Sequence, residues 1–173
     1  GRKGTSTFTG YTNVGTVYEP DDEFKGDLAR TYFYMVTCYM NDNFTQADGG
    51  AKMFTYSGGT AQLSNYSVAL LLKWHRQDPV SERELVRNEV IYDNSTYNKC
   101  NYKQGNRNPF IDYPELAEYI WGTKKGQTLT IASIVSAYDG GGSTPIDPEK
   151  PVVKYGITFM VNGQELRTDS VVE

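Results

Sequence analysis

The segment "NYSVALLLKWHRQ", residues 65–77, constrains the fold more than any other part of the chain. Its periodicity is helical, yet apolar side chains lie nearly all round it. Only Lys73, Arg76 and Gln77 form a polar wedge, and Pro79 stops the helix. A helix of this kind is stable only when other elements surround it, so the rest of the chain must supply that cover.

The most convincing helix in the sequence is "LARTYFYMVTCYM". Leu28, Ala29, Tyr32, Phe33, Met35, Val36, Tyr39 and Met40 fall on one broad helical stripe, with Arg30, Tyr34 and Thr37 opposite. Asp27 suits the N-cap or the first turn of this helix. A third helix opens at Ser81 and Glu84, spaced as a capping box, and runs to about Asp93. Its apolar residues make no tidy stripe. A short fourth helix follows, with Asp112 as its cap and Pro114 in its first turn. Leu116, Ile120 and Trp121 point inward and Gly122 ends it.

Between these helices the chain reads as extended or irregular. Residues 1–24 are rich in Gly, Thr and Tyr, and residues 41–62 carry two Gly-Gly pairs that suit a loop or weak hairpin. "QTLTIASIVSAY" suits a strand or a short helix. "DGGGSTPIDPEKP" reads as a linker, and the alternating run around Asn162-Gly163 as a type I′ hairpin. The expected fold class is therefore mainly α, of α+β type, with about four helices and a C-terminal β-hairpin. The expected division is one domain over 1–138, a linker over 139–151 and part of a small β module over 152–173. Both ends read as those of an excised piece.

The net charge of -4 does not advertise nucleic-acid binding, but the charge is uneven. Residues 63–107 hold seven Lys/Arg against five acids, between flanks in which acids dominate. No apolar run is long enough to span a membrane. Cys38 and Cys100 match no zinc or redox spacing; a disulfide, two free thiols and two core residues all remain open. His75, the only histidine, sits on the side of Val68, Leu71 and Leu72, where a hydrogen-bonded core role is the natural reading. Asp21, Asp22 and Glu23 read as a solvated acidic turn. The 14 tyrosines could stack on bases or sugars, though seven lie in or beside predicted helices, where packing explains them.

Three blocks carry a resemblance: "FKGDLARTYFYM", "LLKWHRQDPVSERELVRNEVIY" and "QGNRNPFIDYPELAEYIWG", in that order. Over about residues 15–122 the chain resembles the C-terminal half of the bacterial endonuclease I family. These are metal-dependent nucleases that cut DNA and RNA with little sequence preference. The resemblance implies a His-metal-finger parent, secreted, periplasmic or on the cell surface, that uses Mg²⁺ or another divalent cation. In that family the general-base histidine lies in an "(R/W)EH-x-x-P"-like block, and a downstream "G-x-x-N-x-x-R-S-N"-like block helps hold the metal. Neither block occurs in this sequence. The resemblance thus implies a scaffold without catalytic or metal-binding residues, inactive alone, that meets nucleic acid weakly through phosphates and could self-associate through an exposed face.

The residues that suit phosphate contact are Arg30, Lys73, Arg76, Arg83, Arg87, Asn106, Arg107 and Asn108. Each has a bland counterpart. Arg30 could pair with an acid such as Glu19, the other charges could be solvated, and residues 106–108 could cap helices and tie a loop to the core. A non-catalytic module that binds nucleic acid, glycan or protein on a secreted or surface protein is the alternative function.

Overall fold

The computed structural model describes residues 1–12, 14–92, 104–130 and 134–138, together with the backbone of 156–161 and 164–170. Mixed α+β architecture is observed. Strands β1 (Arg2–Thr5) and β2 (Thr16–Glu19) form an antiparallel hairpin with Arg2 opposite Glu19. Helix α1 (Lys25–Cys38) follows, then the short α2 (Gly50–Met53). Strands β3 (Phe54–Ser57) and β4 (Thr60–Leu63) form the hairpin expected in the Gly-rich stretch. Gly58 and Gly59, both at positive φ, make its two-residue turn, a conformation that side-chain-bearing residues resist.

Helix α3 (Asn65–Gln77) is the buried helix read from the sequence. Ser64 caps it, its hydroxyl oxygen accepting from the Ser67 amide at 3.1 Å while its own proton goes to the Lys52 carbonyl. Helices α4 (Glu82–Tyr92), α5 (Pro109–Asp112) and α6 (Leu116–Ile120) complete the helical part. Strands β5 (Gly156–Val161) and β6 (Gln164–Ser170) pair antiparallel, with Val161 opposite Gln164 and a register shift between Phe159 and Met160. The turn at 162–163, the 139–151 linker and Cys100, with the disulfide question it carries, lie outside the described residues.

The core forms where α1 crosses α3. Phe33 is fully buried; its ring lies 4.8 Å from Trp121 and 5.6 Å from Phe110, centroid to centroid. Leu71, Leu72, Trp74, Ala29 and Val36 pack around this cluster. Burying one such aromatic ring contributes about 2–3 kcal/mol. Rings in contact add a little more through their edge and face geometry.

Several local expectations need correction. Tyr39 and Met40 lie beyond the end of α1 and are exposed, because the helix stops at Cys38. The helix expected after an Asp112 cap is α6, which starts only at Leu116, with Glu115 at its N-cap making no side-chain bond; Asp112 instead ends α5, a separate short helix capped by Asn108 with Pro109 in its first turn. Ile120 is exposed, while Leu116 is buried. The capping box at Ser81 is half formed: the Glu84 amide donates to Ser81 Oγ at 3.3 Å, but the Glu84 side chain goes elsewhere. The described parts of 127–138 form neither helix nor strand. Ile134 is buried there, and the Ala137 amide donates to the Asp112 carbonyl at 2.8 Å.

Helix α4 explains its own untidy pattern. Its buried residues are Glu84 and Asn88, four apart on one face, while Val86 and Ile91 are exposed. This helix packs a polar stripe inward, so the hydrogen-bonding partners of that stripe organise the neighbouring segments.

Candidate nucleic-acid interface

Arg30 is the centre of the buried polar stripe. It has no solvent exposure; Nε donates to Glu84 Oε1 at 2.7 Å and Nη2 to Glu84 Oε2 at 2.6 Å. Its Nη1 donates to the Asp78 carbonyl at 3.0 Å and lies 3.3 Å from His75 Nδ1. On the other side of the ring, His75 Nε2 is 3.0 Å from the Pro114 carbonyl. A carbonyl can only accept, so Nε2 carries the proton and Nδ1 accepts from Arg30. Burial, helped by the Arg30 charge, pushes the imidazole pKa down to about 4, and the ring is neutral near pH 7. Burial raises the Glu84 carboxyl, and the Arg30 fork opposes that rise. The chain Glu84–Arg30–His75–Pro114 ties α4, α1, α3 and the α5–α6 segment into one unit.

The segment 104–112 forms a second inward network. Arg107 donates to Asp112 at 2.9 Å from Nη2 and pairs with Glu89, and its guanidinium lies 4.8 Å from the Tyr138 ring centroid. Asn88 Nδ2 donates to Asp112 Oδ1 at 3.0 Å, and Asn88 Oδ1 accepts from the Asn108 amide at 2.8 Å. Asn108 Oδ1 accepts from the Phe110 amide at 2.9 Å, and its Nδ2 donates to the Arg30 carbonyl at 3.0 Å. Asn106 is exposed, and its Nδ2 donates to the Tyr34 hydroxyl at 2.6 Å. Arg30, Arg107 and Asn108 are thus spent on internal contacts in place of the outward phosphate contact considered for them. A fully buried guanidinium has no route to an external anion.

The remaining cations face outward. Lys73 is exposed, its ammonium 5.5 Å from the Phe8 ring centroid. Arg76 is half exposed and forks onto Glu118 through Nε at 2.7 Å and Nη2 at 2.8 Å. That contact pulls the Glu118 carboxyl down to about 2. Arg83 and Arg87 lie four apart on α4, and the Nη2 of each is 3.6 Å from Oδ2 of Asp27. Arg83 also stacks at 4.5 Å over the Phe24 ring. Asp27, read from the sequence only as a helix-start acid, is buried, as is Glu84. The i,i+4 spacings of Glu84 with Asn88 and Arg83 with Arg87 are visible in the sequence, but nothing local shows that Glu84 and the two arginines meet α1 while Asn88 meets the start and end of α5.

The endonuclease I family model matches residues 1–115, two thirds of the chain. The chain belongs to the endonuclease I family. Among curated relatives, an extracellular ribonuclease of Bacillus amyloliquefaciens is 44% identical over 108 residues, which covers 62% of this chain and 33% of the relative. An extracellular ribonuclease of Bacillus subtilis (strain 168) is 43% identical over a segment of the same length and coverage. The chain therefore spans about a third of the length of the curated relatives it matches. No solved structure matches it. The endonuclease I match takes in β1, upstream of the 15–122 segment that carries the resemblance.

A divalent cation, implied by the endonuclease I family, needs converging oxygen or imidazole ligands. Among the described residues no group of three or more His, Cys, Asp or Glu could hold one. Asp22 is taken by Lys25 at 2.6 Å and Glu23 faces Arg83 at 3.9 Å, so the acidic turn is engaged by cations of the protein itself. His75 has both ring nitrogens occupied. The described residues do not fit a metal centre. Nor is any helix among them long and apolar enough to cross a membrane.

Proposed function

We propose that this chain is the C-terminal, helical scaffold of a secreted, metal-dependent endonuclease that hydrolyses phosphodiester bonds in RNA and DNA. The observation that carries this reading is the match to the endonuclease I family, joined to relatives named extracellular ribonucleases. The scaffold contributes outward cations for phosphates: Lys73, Arg83 and Arg87, together with Arg76, which is held on Glu118. The water-activating histidine and the divalent-metal ligands belong to the part of the parent enzyme that carries the two blocks missing from this sequence. Residues 139–151 act as a linker to a small β module at 152–173.

Backbone phosphates attract these side chains without regard to base identity, as a non-specific nuclease requires. On this reading, the isolated chain binds single-stranded RNA with an affinity that falls steeply with salt. It does not cut plasmid DNA or RNA with Mg²⁺ or Ca²⁺. Chelator-sensitive cleavage by a preparation shown free of contaminating nuclease overturns the assignment of the catalytic groups elsewhere. Absence of salt-dependent binding overturns the phosphate surface.

A further inference from the structure

We propose that Arg83 and Arg87 form a two-pronged clamp for a single backbone phosphate, with buried Asp27 as the positioning residue that holds the prongs together. The inference rests on the nucleic-acid reading above and makes it specific. Asp27 is 6% exposed, and among the described residues its Oδ2 has no hydrogen-bond partner. Both arginine Nη2 atoms nonetheless stand 3.6 Å from that same oxygen. At this distance the guanidiniums are drawn in by charge without committing a hydrogen bond to Asp27. Apart from the Arg83 Nη2 proton that goes to the Glu23 carbonyl, their N–H groups stay available to another acceptor, and the two side chains are 51% and 48% exposed.

The geometry suits one phosphate. The two Nη2 atoms can be no farther apart than twice their distance to Oδ2. Two non-bridging oxygens of one phosphodiester, each accepting at about 2.8 Å, reach nitrogens up to roughly 8 Å apart. The charges also match. Arg30, 3.6 Å from Asp27 Oδ1, is balanced by Glu84, so Asp27 stands against two arginines and leaves about one positive charge for one phosphodiester. Stacking on Phe24 and the 3.3 Å bond from Arg83 Nη2 to the Glu23 carbonyl order one prong in advance, which lowers the entropy lost on binding. The Glu23 carboxylate, exposed and 3.9 Å from Arg83 Nη1, is the local competitor that must move aside.

The test is fluorescence anisotropy of this chain with a fluorescein-labelled oligouridylate, titrated at several salt concentrations. Arg83→Ala and Arg87→Ala should each weaken binding about tenfold at low salt. The double variant should lower the salt slope by about 0.7, the value for one phosphate of a single strand. Glu23→Gln should tighten binding. Asp27→Asn, checked for folding by circular dichroism, should weaken binding several-fold although it adds net positive charge; tighter binding would overturn the positioning role. A double-variant loss near 1.4 overturns the single-phosphate clamp in favour of two separate contacts. An unchanged double variant, with wild type binding normally, overturns the clamp and leaves the nucleic-acid reading standing. Failure of the wild-type chain to bind overturns both.

Discussion

Arg30 and Glu84 are joined by two hydrogen bonds, at 2.7 and 2.6 Å, with neither side chain exposed to solvent. The pair lies 54 positions apart in sequence and fastens α4 to α1. Apolar contact does little here, because the inward face of α4 is Glu84 and Asn88. Removing one partner leaves an uncompensated buried charge, at a cost of about 3–5 kcal/mol. Arg30→Ala and Glu84→Ala should therefore each lower stability by that order in urea unfolding. The double variant should cost clearly less than the sum of the two. Single variants that lose under about 1 kcal/mol would mean that the fork is not needed to hold α4.

His75 predicts a pH dependence of stability. Its folded pKa, about 4, lies below the ordinary value of 6.5, so the unfolded chain takes up a proton first as pH falls. Stability is fully present above 6.5, declines between 6.5 and 4, and the total loss from this group is at most about 3 kcal/mol. His75→Gln, which keeps a donor for the Pro114 carbonyl, should flatten the stability–pH curve between pH 6.5 and 5. An identical slope in the variant would assign the effect to other groups.

Glu118 titrates in a lower window. Arg76 holds its carboxyl near 2, below the ordinary 4.5, so its contribution is present above 4.5 and disappears as pH falls toward 2. Arg76 is half exposed, and solvent screening keeps the pair's contribution small. Arg76→Ala should raise the Glu118 carboxyl toward its ordinary value in an NMR titration while changing stability by no more than about 1 kcal/mol. A Glu118 carboxyl that stays near 2 in the variant would assign the effect to the Thr123 amide and hydroxyl that also donate to it.

Gly26 sits where α1 meets the end of α3. A Cβ there would run into the Asp78 carbonyl and crowd the Arg30 guanidinium, 2.6 Å from Nη2. At an open helix position, Gly→Ala gains about 1 kcal/mol. Here the sign should reverse, with Gly26→Ala destabilising by about 1–3 kcal/mol, read from the urea midpoint. A stabilised variant would show that the α1–α3 junction relaxes freely.

Asn108 and Asn106 separate the structural from the exposed asparagines. Asn108→Ala loses the cap on the Phe110 amide and the bond to the Arg30 carbonyl, a loss of about 2 kcal/mol. Asn106→Ala removes one bond to the Tyr34 hydroxyl at the surface and should cost about 0.5–1 kcal/mol. Equal costs measured by thermal unfolding would contradict the burial difference between them.

Local chemistry was legible wherever the deciding partners lie within a turn or two. The helical periods of α1 and α3, the cap spacing that opens α4 and the Gly-Gly pair of the β3–β4 turn are all properties of short windows. Even there, competition blurred the ends. Asp112 has the chemistry of a cap, but it ends the separate helix α5 that Asn108 and Pro109 start, and its carboxylate is claimed by Arg107. Glu84 has capping-box spacing, but a buried guanidinium is a stronger partner for a carboxylate than an exposed amide.

The sequence by itself determined the α+β class, the buried α3 and the family resemblance, because periodicity, turn residues and motif order are written along the chain. Only the tertiary structure decided which charges face inward. Arg30 and Arg107 are no different in kind from Arg83 and Arg87 as letters in a sequence. What separates them is a buried carboxylate brought within hydrogen-bonding reach, by Glu84 for one and Asp112 for the other. Desolvating a guanidinium is tolerable only with such a partner, and packing across distant segments is what supplies it.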